Sequence, residues 1–439
     1  MIEKGKSLLL ALLVVLSLVQ SYMLAYSTPY MDAKENTDFS YVKAEPLGKE
    51  EKVDNLIFPE QLILHMGDDK HTVFYPGTKP FYDQILTKIR SREFKDIQLY
   101  SIHSVDWDEV RREDKGVELR FPRAIPFELL QKVFRIDGDF LFSGDSISKI
   151  WIYASKGRDE VRTFFFSADG RNVYEALRAD LMVGDVEGYV GFGQYWDSYS
   201  TTDGQLYVPN QPISRLLSMQ VSISRYSTDQ IQENLFFDPG MTKTFQDNDS
   251  GPQFYTDSKR SLKVEPRSGW MSYTDTVAPT TNNNNAYIDN VISAIDFINQ
   301  HGGWNGTHAL TQEMESDDAS TVKFQQYYNG VPILPSPSLN LGYMQLTMQQ
   351  GVVSSYDRSL LVLGEETTNK AQRLLPGGDV LRAALNQVKS TGKKVVSLFP
   401  AYRPTMLEDK LTIVPVWGIR LEGGAVAILI DSTPKADVS

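Results

Sequence analysis

Hydrophobic positions along the chain fall into three regimes. Residues 7–26 (SLLLALLVVLSLVQSYMLAY) are apolar with few interruptions, and no charged side chain occurs between Ser7 and Met31. About 20 such residues make roughly 30 Å of helix, the thickness of a bilayer's hydrocarbon core. Lys4 and Lys6 precede the stretch, and Asp32 and Glu35 follow it. Positive residues stay inside, so the N-terminus is expected in the cytoplasm and the bulk of the chain outside. Tyr22, Tyr26 and Tyr30 fit an outer aromatic belt. A cleaved signal peptide competes with this reading, because Ala25-Tyr26-Ser27 offers small residues at peptidase spacing. The length of the apolar stretch and the position of Pro29 favour an uncleaved anchor. The chain thus reads as a cytoplasmic tail (1–6), a transmembrane helix (7–27) and an extracytoplasmic region.

The second regime is polar. Residues 28–60 read as a tether from the membrane to the first domain. The third alternates between strand and helix periods. His71–Tyr75, Gly116–Phe121, Lys149–Ala154 and Val161–Phe166 read as strands, with Ala168-Asp169-Gly170 turning into Asn172–Leu177. Pro80–Arg92 reads as a helix with Ile85, Leu86 and Ile89 on one face. These form an N-terminal α/β domain over 61–194. A central α+β domain is expected over 195–280, with a strand at Ser218–Tyr226, a short helix capped at Thr228, and strands at Gln253–Tyr255 and Ser261–Val264.

The remainder repeats one pattern. Ile288, Val291, Ile292, Ile295 and Ile298 share a helical face closed by Gly302-Gly303, and strands follow to Tyr356. A second helix, capped by Asp379 and bearing Val380, Leu381, Ala384, Leu385 and Val388, is followed by strands to Ile430. Units are expected over 281–365 and 366–439, each a helix wrapped by an antiparallel sheet, so the fold class is α+β.

One side of the anchor is unusual. Ser17, Gln20, Ser21 and Ala25 recur at spacings of three and four, a small-xxx-small face with one amide. Such a face lets another membrane helix approach, and Gln20 can bond across the contact for about 0.5–2 kcal/mol. The same residues also lie near the outer interface, where polar side chains cost little, and both readings stand.

Composition narrows the function. The formal charge of −12 and the absence of a long Lys/Arg cluster argue against nucleic acid. With no cysteine in 439 residues, disulfides, thiolate metal sites and cysteine nucleophiles are excluded. The five histidines, His65, His71, His103, His301 and His308, form no HExxH and no helical ligand pair; surface or capping roles are expected for His301 and His308. Ser146–Lys149 and Ser390–Lys393 match SxxK without companion motifs. Asp247–Gly251 starts like a calcium loop but lacks its glycine and glutamate. Asp106, Asp108 and Glu109, and Asp137 with Asp139, are carboxylate clusters whose basic neighbours suit a solvated face. No catalytic, metal or cofactor residues are assigned, and no enzyme is expected.

The layout resembles a known family. A single N-terminal anchor, a Cys-free outer portion, LFFD at Leu235–Asp238, YTD at Tyr255–Asp257 followed by Arg260 and Leu262, and a duplicated end are similar to the YycH family over nearly the whole chain. Ser258 stands where many relatives carry glycine, so that turn is expected to differ. FQQYYNGVPI at Phe324–Ile333 and IVPVW at Ile413–Trp417 resemble the PepSY-type fold, a non-catalytic binding module. The resemblance implies an accessory membrane protein of Gram-positive bacteria that restrains the WalK sensor histidine kinase of the WalK/WalR system. It implies contacts with that kinase and with the single-pass protein YycI, in part through membrane helices. The alternative is an extracytoplasmic module that binds or hydrolyses wall polymers or peptides.

Overall fold

Strand alternation organises the first half of the molecule. The computed structural model describes residues 16–17, 44–137, 144–246, 251–276, 287–315, 320–336, 339–407 and 410–434. Ten strands, β1 (Gln61–Met66), β2 (His71–Phe74), β3 (Glu93–Tyr100), β4 (Lys115–Pro126), β5 (Arg135–Ile136), β6 (Ser146–Ala154), β7 (Val161–Ser167), β8 (Val173–Ala179), β9 (Tyr199–Ser200) and β10 (Val208–Pro209), build one sheet. Their order is β10-β9-β2-β1-β4-β6-β7-β8-β3-β5, antiparallel except for β3–β5. One face sets Leu62, Leu64, Leu119, Ile150, Ile152 and Phe165 in a common core with the helices Phe81–Ser91 and Val183–Gly191. The first of these helices buries Tyr82, Ile85, Leu86 and Ile89, the i, i+3, i+4, i+7 stripe its sequence announces. The other face carries the polar cluster described below.

After β11 (Leu217–Arg225) come β12 (Lys243–Gln246), β13 (Gln253–Thr256), β14 (Arg260–Glu265), β15 (Trp270–Asp275), β16 (Thr307–Glu315), β17 (Ser320–Tyr328), β18 (Val331–Pro332), β19 (Tyr343–Gln349) and β20 (Val352–Ser359). They form a nine-stranded antiparallel sheet, β12-β13-β14-β15-β20-β19-β17-β16, with β18 paired to β17. Leu262, Val264, Met271, Tyr273, Phe324, Leu346 and Tyr356 share a core with Val291, Ala294, Ile295 and Ile298 of the helix Tyr287–Gln300. That helix is followed by Gly302 and Gly303, at φ 103° and 82°, a conformation glycine adopts without a Cβ penalty.

A third sheet joins β11 to β21 (Leu361–Leu374), β22 (Val395–Leu407), β23 (Lys410–Leu421), β24 (Val426–Asp431) and β25 (Thr433–Pro434), in the order β22-β23-β11-β21-β25 with β24 on β23. The helix Gly378–Ser390 belongs to the same core through Leu381 and Leu385.

The chain is thus mixed α+β, and the helices Tyr287–Gln300 and Gly378–Ser390 are each followed by strands. Neither unit is built from its own segment alone. Residues 195–280, expected as a central domain, give β9 and β10 to the first sheet, β12–β15 to the second and β11 to the third. From Ala44 onward the chain is a single compact unit, and the end of the expected tether 28–60 is part of it.

Three local expectations are corrected. Ser227, not Thr228, caps the helix Thr228–Leu235, with Gln230 returning the bond in a capping box. The helix Gly378–Ser390 begins before Asp379, and Val380, assigned to its apolar face, is exposed. Ser258 keeps a left-handed turn, at φ 75°, in spite of its side chain. Among the described residues no helix is long and apolar enough to cross a membrane; apart from Leu16 and Ser17, the expected span 7–27 lies outside them.

Candidate functional site

The turn Gly67–Lys70 folds β1 back on β2 and sets His65 directly opposite His71. Gly67, Asp68 and Asp69 all have positive φ, which suits the hairpin twist. The two imidazoles meet through Nδ1 and Nδ1 at 3.1 Å, and both rings are buried. The outer end of the pair is fixed where His71 Nε2 lies 3.2 Å from Asp69 Oδ1. At the inner end, His65 Nε2 is 3.4 Å from Glu118 Oε2 and completes no hydrogen bond.

Glu118 is 1% exposed, and its β4 register places it beside residues of β1 and β6. Arg120, two residues on and so on the same face, donates from Nε and Nη2 to the two carboxylate oxygens at 3.0 and 3.0 Å. Lys149 Nζ, from β6, lies 3.0 Å away. Burial opposes the charge, but Arg120 and Lys149 hold the Glu118 carboxyl well below the ordinary carboxylate range. Burial pushes Lys149 down, with Glu118 opposing that shift. Burial lowers His65, and burial with the neighbouring ring lowers His71 to about 4, so both are neutral near pH 7.

Aromatic rings close the cluster. Trp151 lies 5.2 Å from His65, and Tyr207 lies 5.4 Å from His71. The Arg120 guanidinium sits over the Tyr207 ring at 5.2 Å and Lys149 over Phe166 at 4.3 Å. Arg120 spends its remaining donors on the carbonyls of Gly204 and Gln205, in the loop that leads to β10.

That loop borders a seam between the first and third sheets. Leu206, Tyr207 and Val208 share a core with Leu381 and Leu385 of the helix Gly378–Ser390. A buried ion pair pins the same seam. Arg420 Nη2 donates to Glu60 Oε1 at 2.7 Å, Ser397 Oγ donates to Glu60 Oε2 at 2.5 Å, and Gln61 Nε2 reaches the Leu398 carbonyl at 2.7 Å. Beside it opens a cavity of about 460 Å³ lined by Val73, Tyr75, Trp196, Arg215, Leu375 and Pro400 among others. Arg215 stacks on Trp196 at 3.7 Å and pairs with Asp197 at 2.8 Å, so its charge is already matched.

A strap of residues 45–51 crosses the helix-bearing face of the second sheet. Gly48 N donates to Gly302 O at 2.8 Å, and Lys49 and Trp304 form an antiparallel bridge. Asn299 receives the Glu51 amide at 3.0 Å and donates to the Glu51 carbonyl at 3.0 Å. Asn234 Nδ2 holds the Glu45 carbonyl at 3.1 Å, and Tyr226 OH donates to Leu47 O. Buried Arg358 completes the seat by donating to Gly303 O at 3.1 Å.

Of the partner face read from sequence, Ser17 is helical and exposed, whereas Gln20, Ser21 and Ala25 lie outside the described residues. The carboxylates at 106–109 are structural: Asp106 caps the helix Trp107–Glu113 by accepting from the amides of Asp108 and Glu109, and Asp108 pairs with Arg111. Asp139 and Asp247–Ser250 lie outside the described residues. His308, expected in a surface or capping role, is buried beside Trp304. Among the described residues no three of His, Asp and Glu converge as a metal site. The histidine–carboxylate cluster has no counterpart in the sequence reading. Its one local signal is Gly-Asp-Asp-Lys between two apolar runs, a hairpin turn that pairs the residues flanking it.

Two family models match this chain, "YycH protein, N-terminal domain" over residues 3–181 and "YycH protein, C-terminal domain" over residues 203–433. The chain belongs to the YycH family. The crystal structure of YycH from Bacillus subtilis has the same fold, with a TM-score of 0.68 at 16% identity over 88% of this chain and 99% of that one. An uncharacterized protein from Eubacterium rectale (TM-score 0.35, 10% identity, 55% of this chain and 90% of that one) is too distant to inform the fold. The same holds for the Bacillus megaterium YpeB C-terminal domain (TM-score 0.26, 13% identity, 47% of this chain and 100% of that one). No curated protein matches the sequence. YycH family membership points to a regulator of the YycG/WalK two-component system, in a family that is regulatory rather than enzymatic.

Proposed function

We propose that this YycH-family protein is a membrane-anchored, extracytoplasmic regulator that restrains the WalK sensor kinase, acting with YycI. The observation that carries the reading is the match of both YycH domains across residues 3–433, apart from the short join between them. The N-terminal match spans the apolar stretch 7–26, which fits a single pass with the N-terminus in the cytoplasm. The face Ser17/Gln20/Ser21/Ala25 is the surface on which the kinase helix packs, and further contacts are made outside the membrane. A sensor kinase has two packings, and a partner shifts their balance only by binding one of them better. A bias of about 1–3 kcal/mol changes output 5- to 150-fold, within reach of one helix contact.

The strap gives such a contact a route into the body, since residues 45–51 are bonded into the second sheet rather than hanging free. The two helix-plus-sheet units serve as PepSY-like, non-catalytic binding modules. A second reading, a module that binds wall polymers or peptides, draws on the cavity beside the Glu60–Arg420 pair, whose size suits a small ligand.

The test is a crosslinking pull-down from membranes with the full chain, with residues 1–31 removed, and with Ser17→Leu combined with Gln20→Leu. Capture of the kinase by the intact chain, lost in both altered forms, is the expected result. Undiminished capture by the double variant removes the helix-face contact. Failure of the intact chain to capture the kinase removes the regulatory reading.

A further inference from the structure

The buried cluster holds fewer protons than its hydrogen-bond junctions need. Asp69, His71, His65 and Glu118 form a chain with three junctions: carboxylate to His71 Nε2, Nδ1 to Nδ1, and His65 Nε2 to carboxylate. Each junction needs one proton to be a hydrogen bond. Two neutral imidazoles carry two protons, one each. One junction must therefore stand empty, with a bare ring nitrogen facing a carboxylate.

The distances say which. His71 Nε2 is bonded to Asp69, so its proton is there and its Nδ1 accepts. His65 must then donate from Nδ1, which leaves its Nε2 bare. Of the four ring nitrogens of the two histidines, that one is without a hydrogen bond, 3.4 Å from Glu118 Oε2. The inner end is also where an empty junction costs least, because Arg120 and Lys149 already satisfy Glu118.

We propose that the Asp69–His71–His65–Glu118 chain is a receptor for one proton, taken up at His65 Nε2 and read out at the seam between the first and third sheets. Hydronium supplies the proton, water leaves, and the cluster gains one positive charge. The new N–H fills the acceptor site left on Glu118 Oε2, and the added positive charge repels Arg120 and Lys149, which share the same carboxylate. Arg120 is the member tied elsewhere: its other donors hold the Gly204 and Gln205 carbonyls, and the adjoining Leu206, Tyr207 and Val208 pack against Leu381 and Leu385. Loosening the Glu118–Arg120 fork therefore loosens that loop. The remaining groups facing the rings are Arg111, from the helix Trp107–Glu113, and the phenol of Tyr207. Arg111 adds to the cationic surroundings, and with burial they keep the site empty near neutrality and fill it on acidification. The site involves neither the anchor nor the kinase, so it stands apart from the regulatory reading.

The test uses the full chain in detergent with 15N-labelled histidine. At pH 7, His71 is expected as the Nε2–H tautomer and His65 as the Nδ1–H tautomer. On acidification from pH 7 both rings respond together to uptake of one proton. Amide exchange over Gly204–Val208 then quickens about tenfold relative to the exchange expected from pH alone, the factor equivalent to one pKa unit of coupling. Asp69→Ala, at a 65%-exposed carboxylate, frees His71 to donate from Nδ1. His65 then carries its proton on Nε2 already at pH 7, and the acid-side uptake moves lower. An Nε2–H tautomer for His65 in the unaltered protein, two independent midpoints, or an unchanged Gly204–Val208 loop would each overturn the proposal.

Discussion

Lys49 and Trp304 exchange two backbone hydrogen bonds, at 3.1 Å and 2.8 Å, although most of the chain separates them in sequence. The bridge seats the strap beside the C-terminal end of the helix Tyr287–Gln300, where Gly302 and Gly303 have turned the backbone outward. From Gly48 the chain is thus bonded to the helix end of the second sheet before it enters the first sheet that follows in sequence.

Gly48 makes this approach possible. A Cβ built there would stand 2.1 Å from the Trp304 carbonyl oxygen, against rigid backbone. Gly48→Ala is expected to unseat the strap at a cost of about 2–3 kcal/mol, in the range of overpacking a buried contact. Denaturant unfolding reads the loss, and amide exchange at Trp304 reads its place. Unchanged protection of the Trp304 amide would show that the strap tolerates the methyl group.

Glu60 and Arg420, 4% and 7% exposed, test the seam. Removing one charge leaves the other buried without its partner, which costs about 3–5 kcal/mol, whereas replacing both with apolar residues costs far less. Arg420→Met is thus expected to destabilise strongly, and Arg420→Met combined with Glu60→Leu to recover most of the loss. Urea midpoints of the two variants decide it; equal midpoints would mean that the pair is not isolated from water.

Ser258 offers a change of opposite sign. Its φ of 75° costs a residue with a Cβ roughly 1 kcal/mol, which glycine does not incur. Asp257 Oδ1 already accepts from the amides of Lys259 and Arg260, so the turn is formed without help from the serine hydroxyl. Ser258→Gly is expected to raise stability by about 0.5–1 kcal/mol, less the extra entropy of the unfolded glycine. A fall in the thermal midpoint would contradict this.

What the sequence shows and hides follows from where the stabilising contacts are made. The stripe Ile85, Leu86, Ile89 was legible because a helix buries neighbours three and four apart, and nothing beyond the local period is needed. The strand Leu361–Leu374 was not, because Gly364, Glu365 and Glu366 interrupt any alternation and its pairing with Leu217–Arg225 is long-range. The strap was hidden for a different reason: its bridge is made by backbone groups of Gly48, Lys49, Gly302 and Trp304, which leave no mark in side-chain pattern, and the side chains that support it, from Asn234 and Asn299, lie far along the chain. His65 and His71 looked like two isolated polar positions six residues apart. Only the hairpin register makes them a pair, and only β4 brings Glu118 to the end of it.

His308 supplies a dependence on pH whose sign can be worked out. It is 2% exposed, donates from Nδ1 to the Gly306 carbonyl at 3.1 Å, and packs 5.3 Å from the Trp304 ring. Burial lowers it to about 3, the Gly306 bond opposes the shift, and Arg358 adds to it. The unfolded chain takes up a proton on this ring near pH 6.5, while the folded chain refuses it down to about 3. Between those values the unfolded state binds more protons, so stability is full above pH 6.5 and falls as pH drops. From pH 6.5 to 5 the loss is about 2 kcal/mol for this one ring. His65 and His71 act in the same direction, so the variant must isolate His308. His308→Asn keeps a donor for Gly306 and removes the titration. Urea unfolding at pH 7 and pH 5 is expected to show a smaller difference in the variant than in the parent, by about 2 kcal/mol. Equal pH differences in the two proteins would mean that His308 is protonated alike in the folded and unfolded states, and hence that water reaches it beside Trp304.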